Sequence, residues 1–478
     1  MITREPRALE SAGEPRGRTT QPWWRRLHAR NRALIPAQAG TMRGAMWTIF
    51  VAAEFYLLSN PLVFIPWFEW SLDSAIEIAL LFVLLQLPWL RLRPPPVTVV
   101  LFLAFTALSA LWSQLPAISW INIQIYVIIA IIAWVISCNV STRVLGHGLL
   151  LGGVLIVVLS LYALHEHLPG AEVGAGNSGY MAGVGTNRNI LAYVLAPVCA
   201  VIAMPPRTRL GWLVWAPGVV VVVVGLWLAD SGTGDISTAA ALVTIAFLFG
   251  TERAHQHLSR SRRRGVWVAG LALVSLIVWR MSDVAALFGR DTSTFSGRLP
   301  IWEGAWKATQ PQLWQGFGWG AVWPHPWVPA PPNHVMDVIW FATNDAYYYP
   351  PHGHSSLFDL LPQVGLIGVA LAVLIHLETL ARAVALRLPG LADAEDVAAG
   401  RMVIVLLVVL LVFGLSEPLT TIPFGWFLLV IVCGVLPFRR PDRAPGRRLD
   451  RRLEQRPDGG PDRGRRRQGR RPAGRRVR

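Results

Sequence analysis

Apolar residues come in long blocks along this chain, and the length of the blocks is its first readable pattern. Crossing the hydrocarbon core of a bilayer takes roughly 17–25 helical residues. About twelve blocks approach that length, at 44–66, 73–90, 97–113, 118–138, 144–165, 187–204, 209–229, 235–250, 265–282, 356–380, 402–416 and 420–437. Pro61 and Pro66 interrupt the first, and 235–250 is barely long enough. Each block must be helical, because a strand edge facing lipid leaves backbone N–H and C=O groups unpaired. The pattern predicts an all-α, polytopic transmembrane helical bundle of about twelve spans, carrying one long polar interlude at 283–355.

Composition agrees with that reading: 53% of the 478 residues are hydrophobic and 15% charged. The net charge of +16 would suggest nucleic acid on a soluble protein, but its distribution argues against such a partner. Basic residues fall in 1–43, at Arg91 and Arg93, Arg143, Arg207 and Arg209, Arg260 to Arg264, Arg382 to Arg401, and from Arg439 onward. These are alternate loops, and the intervening ones carry little positive charge, which is the positive-inside pattern. It places both termini on the cytoplasmic side of the membrane and 283–355 outside. The basic segment 1–43 and the Arg-rich tail 438–478 lack the apolar content to fold, and are expected to be disordered. The tail reads as a positive-inside anchor, the alternative being electrostatic attachment to anionic lipid or nucleic acid. No cleavable signal peptide is expected, since the polar start is long and Arg-rich. The three cysteines lie in or at the edge of spans and indicate neither a disulfide framework nor a zinc site. No internal repeat of the inverted-topology transporter kind is visible.

The membrane-bounded interlude concentrates the residues that can do chemistry. Arg298 follows Gly297 and precedes Pro300, at the expected start of a helix. A guanidinium there can grip phosphate in bidentate fashion, with the helix N-terminus favouring an anion; the plainer reading is a headgroup-binding arginine. Trp302 and Trp306 are spaced to share a face of a helix started by Pro300, for packing on the bundle or for stacking on a sugar ring. His352 and His354 end the interlude. Neutral histidine is the commonest general base, although a loop histidine is more often structural. No nearby Cys or Asp-rich partner completes a metal site around the pair. Asp359, a turn beyond, can orient His354 or simply face the bundle interior. Arg188, between Asn187 and Asn189 before an apolar run, supplies a second outward cation. Glu417, in Gly414-Leu415-Ser416-Glu417-Pro418, is the only acid of the last external turn and can bond a cation in the site.

Taken in order, these motifs resemble the O-antigen ligase / Wzy polymerase superfamily. The resemblance runs over about 180–430 through Gly185-x-Asn187-x-Asn189, Gly297-Arg298-x-x-x-Trp302, Pro311 with Gly316-x-Gly318-x-Gly320, and His352-x-His354 leading to Val364-Gly365-Leu366-Ile367-Gly368. It implies a GT-C-like fold. The implied activity takes a glycan from an undecaprenyl-diphosphate carrier and joins it to a glycan or lipid acceptor at the outer face, in cell-surface polysaccharide assembly, by metal-independent inversion without a cofactor. Under that resemblance Arg298, with Arg188, holds the donor diphosphate and His354 activates the acceptor hydroxyl, supported by His352, Asp359, Glu417 and Trp302. Two positions depart from the family pattern. A Ser-x-Ser-Arg-like motif is replaced by Ser231-Gly232-Thr233-Gly234-Asp235, leaving Arg188 or Arg290 to supply the missing charge, and the Asn after the histidine is Ser355. Ligase and polymerase are not distinguished. A lipid-linked-glycan flippase or transporter suits about twelve spans equally well, but not the long one-sided loop or the scarcity of mid-bilayer charge. A noncatalytic scaffold of envelope assembly is the third class, kept open by the absent arginine.

Overall fold

A computed structural model describes residues 36–59, 71–171, 180–185, 187–255, 298–325, 333–343, 350–387 and 394–436, with isolated positions between 259 and 280. Among these the regular structure is helical, apart from one bridge between Ala37 and Val140. The first eight helices are α1 (Met42–Leu58), α2 (Ser71–Gln86), α3 (Val97–Ser109), α4 (Pro116–Asn139), α5 (Thr142–His165), α6 (Arg188–Leu195), α7 (Arg209–Ala229) and α8 (Gly232–His255). The interlude contributes α9 (Arg298–Thr309) and α10 (His334–Thr343), and α11 (Ser356–Ala385), α12 (Ala394–Ser416) and α13 (Pro423–Val435) follow. Seven helical segments among the described residues are long and apolar enough to cross a membrane. They are α2 with the turn after it, α4, α5, α7, α8, α11 and α12; α3, α13, and α6 with its 3₁₀ continuation are apolar but shorter. Among the described residues the chain is thus all-helical, with the helix lengths and apolar content of a membrane protein.

Several expected spans differ in detail. The block at 97–113 is helical only to Ser109, and 402–416 is preceded by two helical turns starting at Ala394. The block at 187–204 is α-helical to Leu195 and then tightens into a 3₁₀ helix over Ala196–Ala203. Pro197 is the cause: without an N–H it cannot close the i→i−4 bond to Tyr193. The expected span 265–282 lies outside the described residues except for isolated positions, as do 60–70. Glu252, near the end of α8, and Arg298, at the start of α9, nevertheless lie at opposite ends of the bundle, because their partners do.

The arginine-rich end is built from capped helix C-termini and ion pairs. Arg93 donates to the carbonyls of Ser137 (2.6 Å) and Gly434 (2.9 Å), at the ends of α4 and α13. Arg382 reaches Cys433 O (2.7 Å) and Leu436 O (2.8 Å). Carbonyls left over at a helix C-terminus carry partial negative charge, so cations there satisfy them directly. Glu252 bridges Arg387 (3.1 Å) and Arg401 (2.5 Å), and Glu395 bridges Arg143 and Arg207, each at 2.7 Å. The loop arginines that set the charge asymmetry are thus also bonded into the bundle.

At the opposite end the interlude folds onto the bundle. The α9–α10 pair has its own small core of Ile301, Ala305, Phe317, Trp323, Met336 and Ile339. The glycine segment after α9 docks into a break in α11. Pro362 lies inside that helix, and Gly365 has φ 60° and ψ −168°, a conformation open essentially to glycine. The break strands the carbonyls of Pro362 and Gln363 and the N–H groups of Leu366 and Ile367, which would otherwise bond each other. All four are taken by the docked segment. Phe317 N–H donates to Pro362 O and Gly318 N–H to Gln363 O, both at 2.9 Å. Leu366 N–H and Ile367 N–H donate to Leu313 O (2.9 Å) and Trp314 O (3.1 Å). A broken helix at membrane depth is tolerated where protein satisfies it. Gly318, at φ 108°, lies so close to α4's entry that an added Cβ would fall 2.3 Å from Ser113 Oγ. The next residue, Trp319, is buried edge-on against Tyr126 (4.8 Å, 82°) and Phe102 (5.7 Å, 87°).

Candidate functional site

Three segments far apart in sequence meet where α9 begins, α11 begins and α12 ends. Arg298, the first residue of α9, donates from Nη2 to Glu417 Oε1 at 2.7 Å. The other oxygen of that carboxylate, Oε2, is 3.6 Å from His354 Nδ1, an ion-pair separation rather than a hydrogen bond. The side chains are largely shielded: 16% exposed for Arg298, 11% for Glu417 and 22% for His354. Glu417 stands directly after α12, and Pro418 after it cannot extend a helix. The chain therefore turns there, with the carboxylate beneath α9.

The two histidines are brought together by the backbone. His354 has φ 49°, in the left-handed region that few non-glycine residues adopt. Side chains two residues apart on an extended strand stand about 6.6 Å from each other, whereas the His352 and His354 rings are 4.2 Å apart at 66°. His354 N–H donates to His352 Nδ1 at 3.3 Å. Burial, with the neighbouring His354 and Arg298 acting against the partial help of Glu417, pushes the His352 imidazole down from 6.5 to about 4. Neutral imidazole is its form at pH 7. Burial alone would raise the Glu417 carboxyl; its contacts with His354, Arg298 and His352 outweigh this and leave it below the usual carboxylate range.

Of the two readings open for Asp359, its bonds follow the one that faces the bundle interior: they go to the loop backbone, Thr421 and Gln363 and not to the imidazole. Asp359 is 1% exposed. Its Oδ1 accepts the Gly353 N–H at 2.7 Å, and its Oδ2 accepts from the Thr421 hydroxyl and from Gln363 Nε2. Trp302 fixes the next peptide group, donating from Nε1 to Gly353 O at 2.9 Å while stacking on Phe358 (5.2 Å, 10°). Gly353, between the two histidines, is thus held through both its N–H and its C=O. Trp302 packs, as the plainer reading of the tryptophans had it. Trp306 and Trp314 stay 46% and 67% exposed, so the first pair share no buried face. Ser355 Oγ donates to Gly414 O at 3.4 Å.

Arg188 lies at the same end but outside this cluster, as the first residue of α6. It pairs with Asp230 at 3.9 Å and sits over the Tyr180 ring at 4.9 Å. Asn187 caps that helix, accepting the Asn189 N–H at 2.8 Å. Ser231 Oγ donates to Asn189 Oδ1 at 2.8 Å, and Ser416 Oγ donates to Thr233 Oγ1 at 3.0 Å. Polar contacts therefore run from the α6 start, through the segment lacking the expected arginine, to the residue before Glu417. Arg290 is outside the described residues.

Two participants were not singled out from sequence. Gln363 accepts the Gly320 N–H on Oε1 at 2.8 Å and donates to Asp359 O at 2.9 Å, joining the glycine segment to the site. Thr421 bonds Asp359. A buried Gln inside an apolar helix was the available signal, since intramembrane polar groups seek partners. Glu417 was singled out from sequence, but not its closeness to both histidines. One atom each from His352, His354 and Glu417 lie within 4.8 Å of one another, so the pair does have an acidic partner, hidden by a sequence separation of 63 residues. In comparisons with known proteins, no family model matches the chain and no curated protein matches it.

Proposed function

We propose that this chain is a membrane glycosyltransferase resembling the O-antigen ligases, moving a glycan from a lipid-diphosphate carrier to an acceptor hydroxyl at the outer face of the plasma membrane. The observation that carries the reading is the convergence of Arg298 and His354 on Glu417, at the end of the bundle away from the arginine-rich one. Inverting displacement at an anomeric carbon needs a cation aimed at the departing diphosphate and a base for the attacking hydroxyl. Arg298 has five N–H donors in a fixed fork, and Glu417 accepts from Nη2. Glu417 holds the guanidinium in place while the rest of the fork addresses phosphate. On His354, Nδ1 faces Glu417. With its proton on that side, Nε2 accepts the hydroxyl proton and Glu417 stabilises the imidazolium that results.

The test is a transfer assay on purified protein with lipid-linked glycan and acceptor, with donor binding measured separately. Arg298→Lys should weaken both donor binding and turnover, because it keeps charge and loses the fork. His354→Ala should leave donor binding largely intact and cut transfer by about 10²–10⁴. Transfer at the wild-type rate by His354→Ala would defeat the assignment. Failure of the wild type to form any product, together with carrier translocation in vesicles, would support the flippase class instead.

A further inference from the structure

We propose that His352, His354 and Glu417 form a binding site for a divalent transition-metal cation of the zinc class, and that Arg298 competes with the cation for Glu417. The donor set is two imidazoles and one carboxylate, which suits zinc-like ions and discriminates against magnesium. The geometry is close to what one ion needs. Zinc takes nitrogen and oxygen ligands at about 2.0–2.2 Å, so two ligands at a tetrahedral angle stand about 3.4 Å apart. His354 Nδ1 and Glu417 Oε2 stand 3.6 Å apart. One ligand atom from each of the three residues lies within 4.8 Å of the others.

Three further observations point the same way. His354 Nδ1 is buried and makes no hydrogen bond at ordinary distance, Glu417 Oε2 standing 3.6 Å away, so this nitrogen is directed into the cluster. The left-handed backbone of His354 is what draws the rings to 4.2 Å, and strain of this kind persists where the surroundings enforce it. They do so here: Asp359 and Trp302 hold the two peptide groups that flank Gly353, between the two histidines. The contact holding His352 Nδ1 is a long one, 3.3 Å to the His354 N–H, and it yields the lone pair at little cost. Against the cation stands Arg298, already 2.7 Å from Oε1 of the same carboxylate. Two cations on one carboxylate repel, so the guanidinium weakens metal binding. Removing it has the opposite sign for metal and for diphosphate, which separates the two ligands.

The experiment uses the full chain, purified in detergent on a tag without histidine, and titrates Zn²⁺ alone by calorimetry with Mg²⁺ in parallel. The expected result is one saturable Zn²⁺ equivalent and none for Mg²⁺. His352→Ala, which leaves the Arg298–Glu417 pair in place, should weaken Zn²⁺ binding by about 100-fold or more, since even outer partners of metal ligands are worth about 10–100-fold. Arg298→Gln should tighten binding several-fold. X-ray absorption on the Zn²⁺-loaded wild type needs no variant and should find two imidazole ligands. A shell without imidazole, no saturable Zn²⁺ equivalent, equal binding of Mg²⁺, or weaker binding in Arg298→Gln would each overturn the proposal. A cation on His354 Nδ1 leaves the imidazole proton on Nε2, where the transferase needs a free lone pair, so transfer is assayed with a chelator present: a chelated protein that is inactive although it binds added Zn²⁺ defeats only the transferase, and an active one that binds none defeats only the metal site.

Discussion

Replacing Glu417 by Gln keeps the volume and an acceptor for Arg298, and removes the negative charge that Arg298 and His354 both face. The 2.7 Å contact to Arg298 is a charge-assisted hydrogen bond, a class worth about 1.5–3 kcal/mol. Exposed pairs contribute about 0–1 kcal/mol, and stripping one partner from a fully buried pair costs about 3–5 kcal/mol. With side chains 16% and 11% exposed, this pair lies between those limits, and the expected loss of stability is about 2 kcal/mol. The assay is reversible SDS unfolding of detergent-solubilised protein for wild type, Glu417→Gln, Arg298→Gln and the double variant. Each single change should cost about 2 kcal/mol and the double about the same as either, giving a coupling near 2 kcal/mol. Additive costs would refute the idea that the pair organises the site. The pH dependence provides a second reading. The folded-state pKa of Glu417 is depressed below its ordinary 4.5, so the folded state binds the proton less readily than the unfolded chain. Its contribution is present above pH 4.5 and is lost as pH falls through the folded value. Glu417→Gln should lack that acid-sensitive component.

His352 gives an independent pH prediction: its pKa falls from 6.5 to about 4 on folding. The unfolded chain then binds more protons between those values, so stability falls as pH drops through that window, by up to about 3 kcal/mol; an equally steep acid limb in His352→Gln would refute this. Gly318→Ala should cost about 2–5 kcal/mol, combining a φ of 108° with a Cβ only 2.3 Å from Ser113 Oγ. Thermal unfolding with loss of the near-ultraviolet signal of buried Trp319 reads it, and an unshifted transition would show that the segment does not need its docked conformation. For topology, a cysteine at exposed Trp306 and one at exposed Arg207 should react with an impermeant reagent from opposite faces, in a chain whose own three cysteines are buried. Labelling from one face would overturn the placement of the site opposite the arginine-rich end.

Much of the architecture was written in the one-dimensional pattern. Apolar block length and alternating loop charge depend only on composition along the chain, because a bilayer imposes the same requirement on every crossing segment. The helical class and the apolar helices long enough to cross a membrane were therefore legible directly in the residues. Helix interruptions were legible only in part. Pro197 and Pro362 were visible, but whether a proline kinks a helix, tightens it or opens it depends on what can satisfy the freed backbone groups, and at Pro362 that is a glycine segment nearly 50 residues earlier. Side-chain partnerships were out of reach for the same reason. Glu417 is one acid in a short turn until α9 and α11 close over it, and Asp359 looks like a partner for His354 until the left-handed His354 backbone turns Gly353 N–H towards it instead. Pairing across 63 or 119 residues is decided by packing, since charge and shape select contacts only after the helices have brought them within a few ångströms.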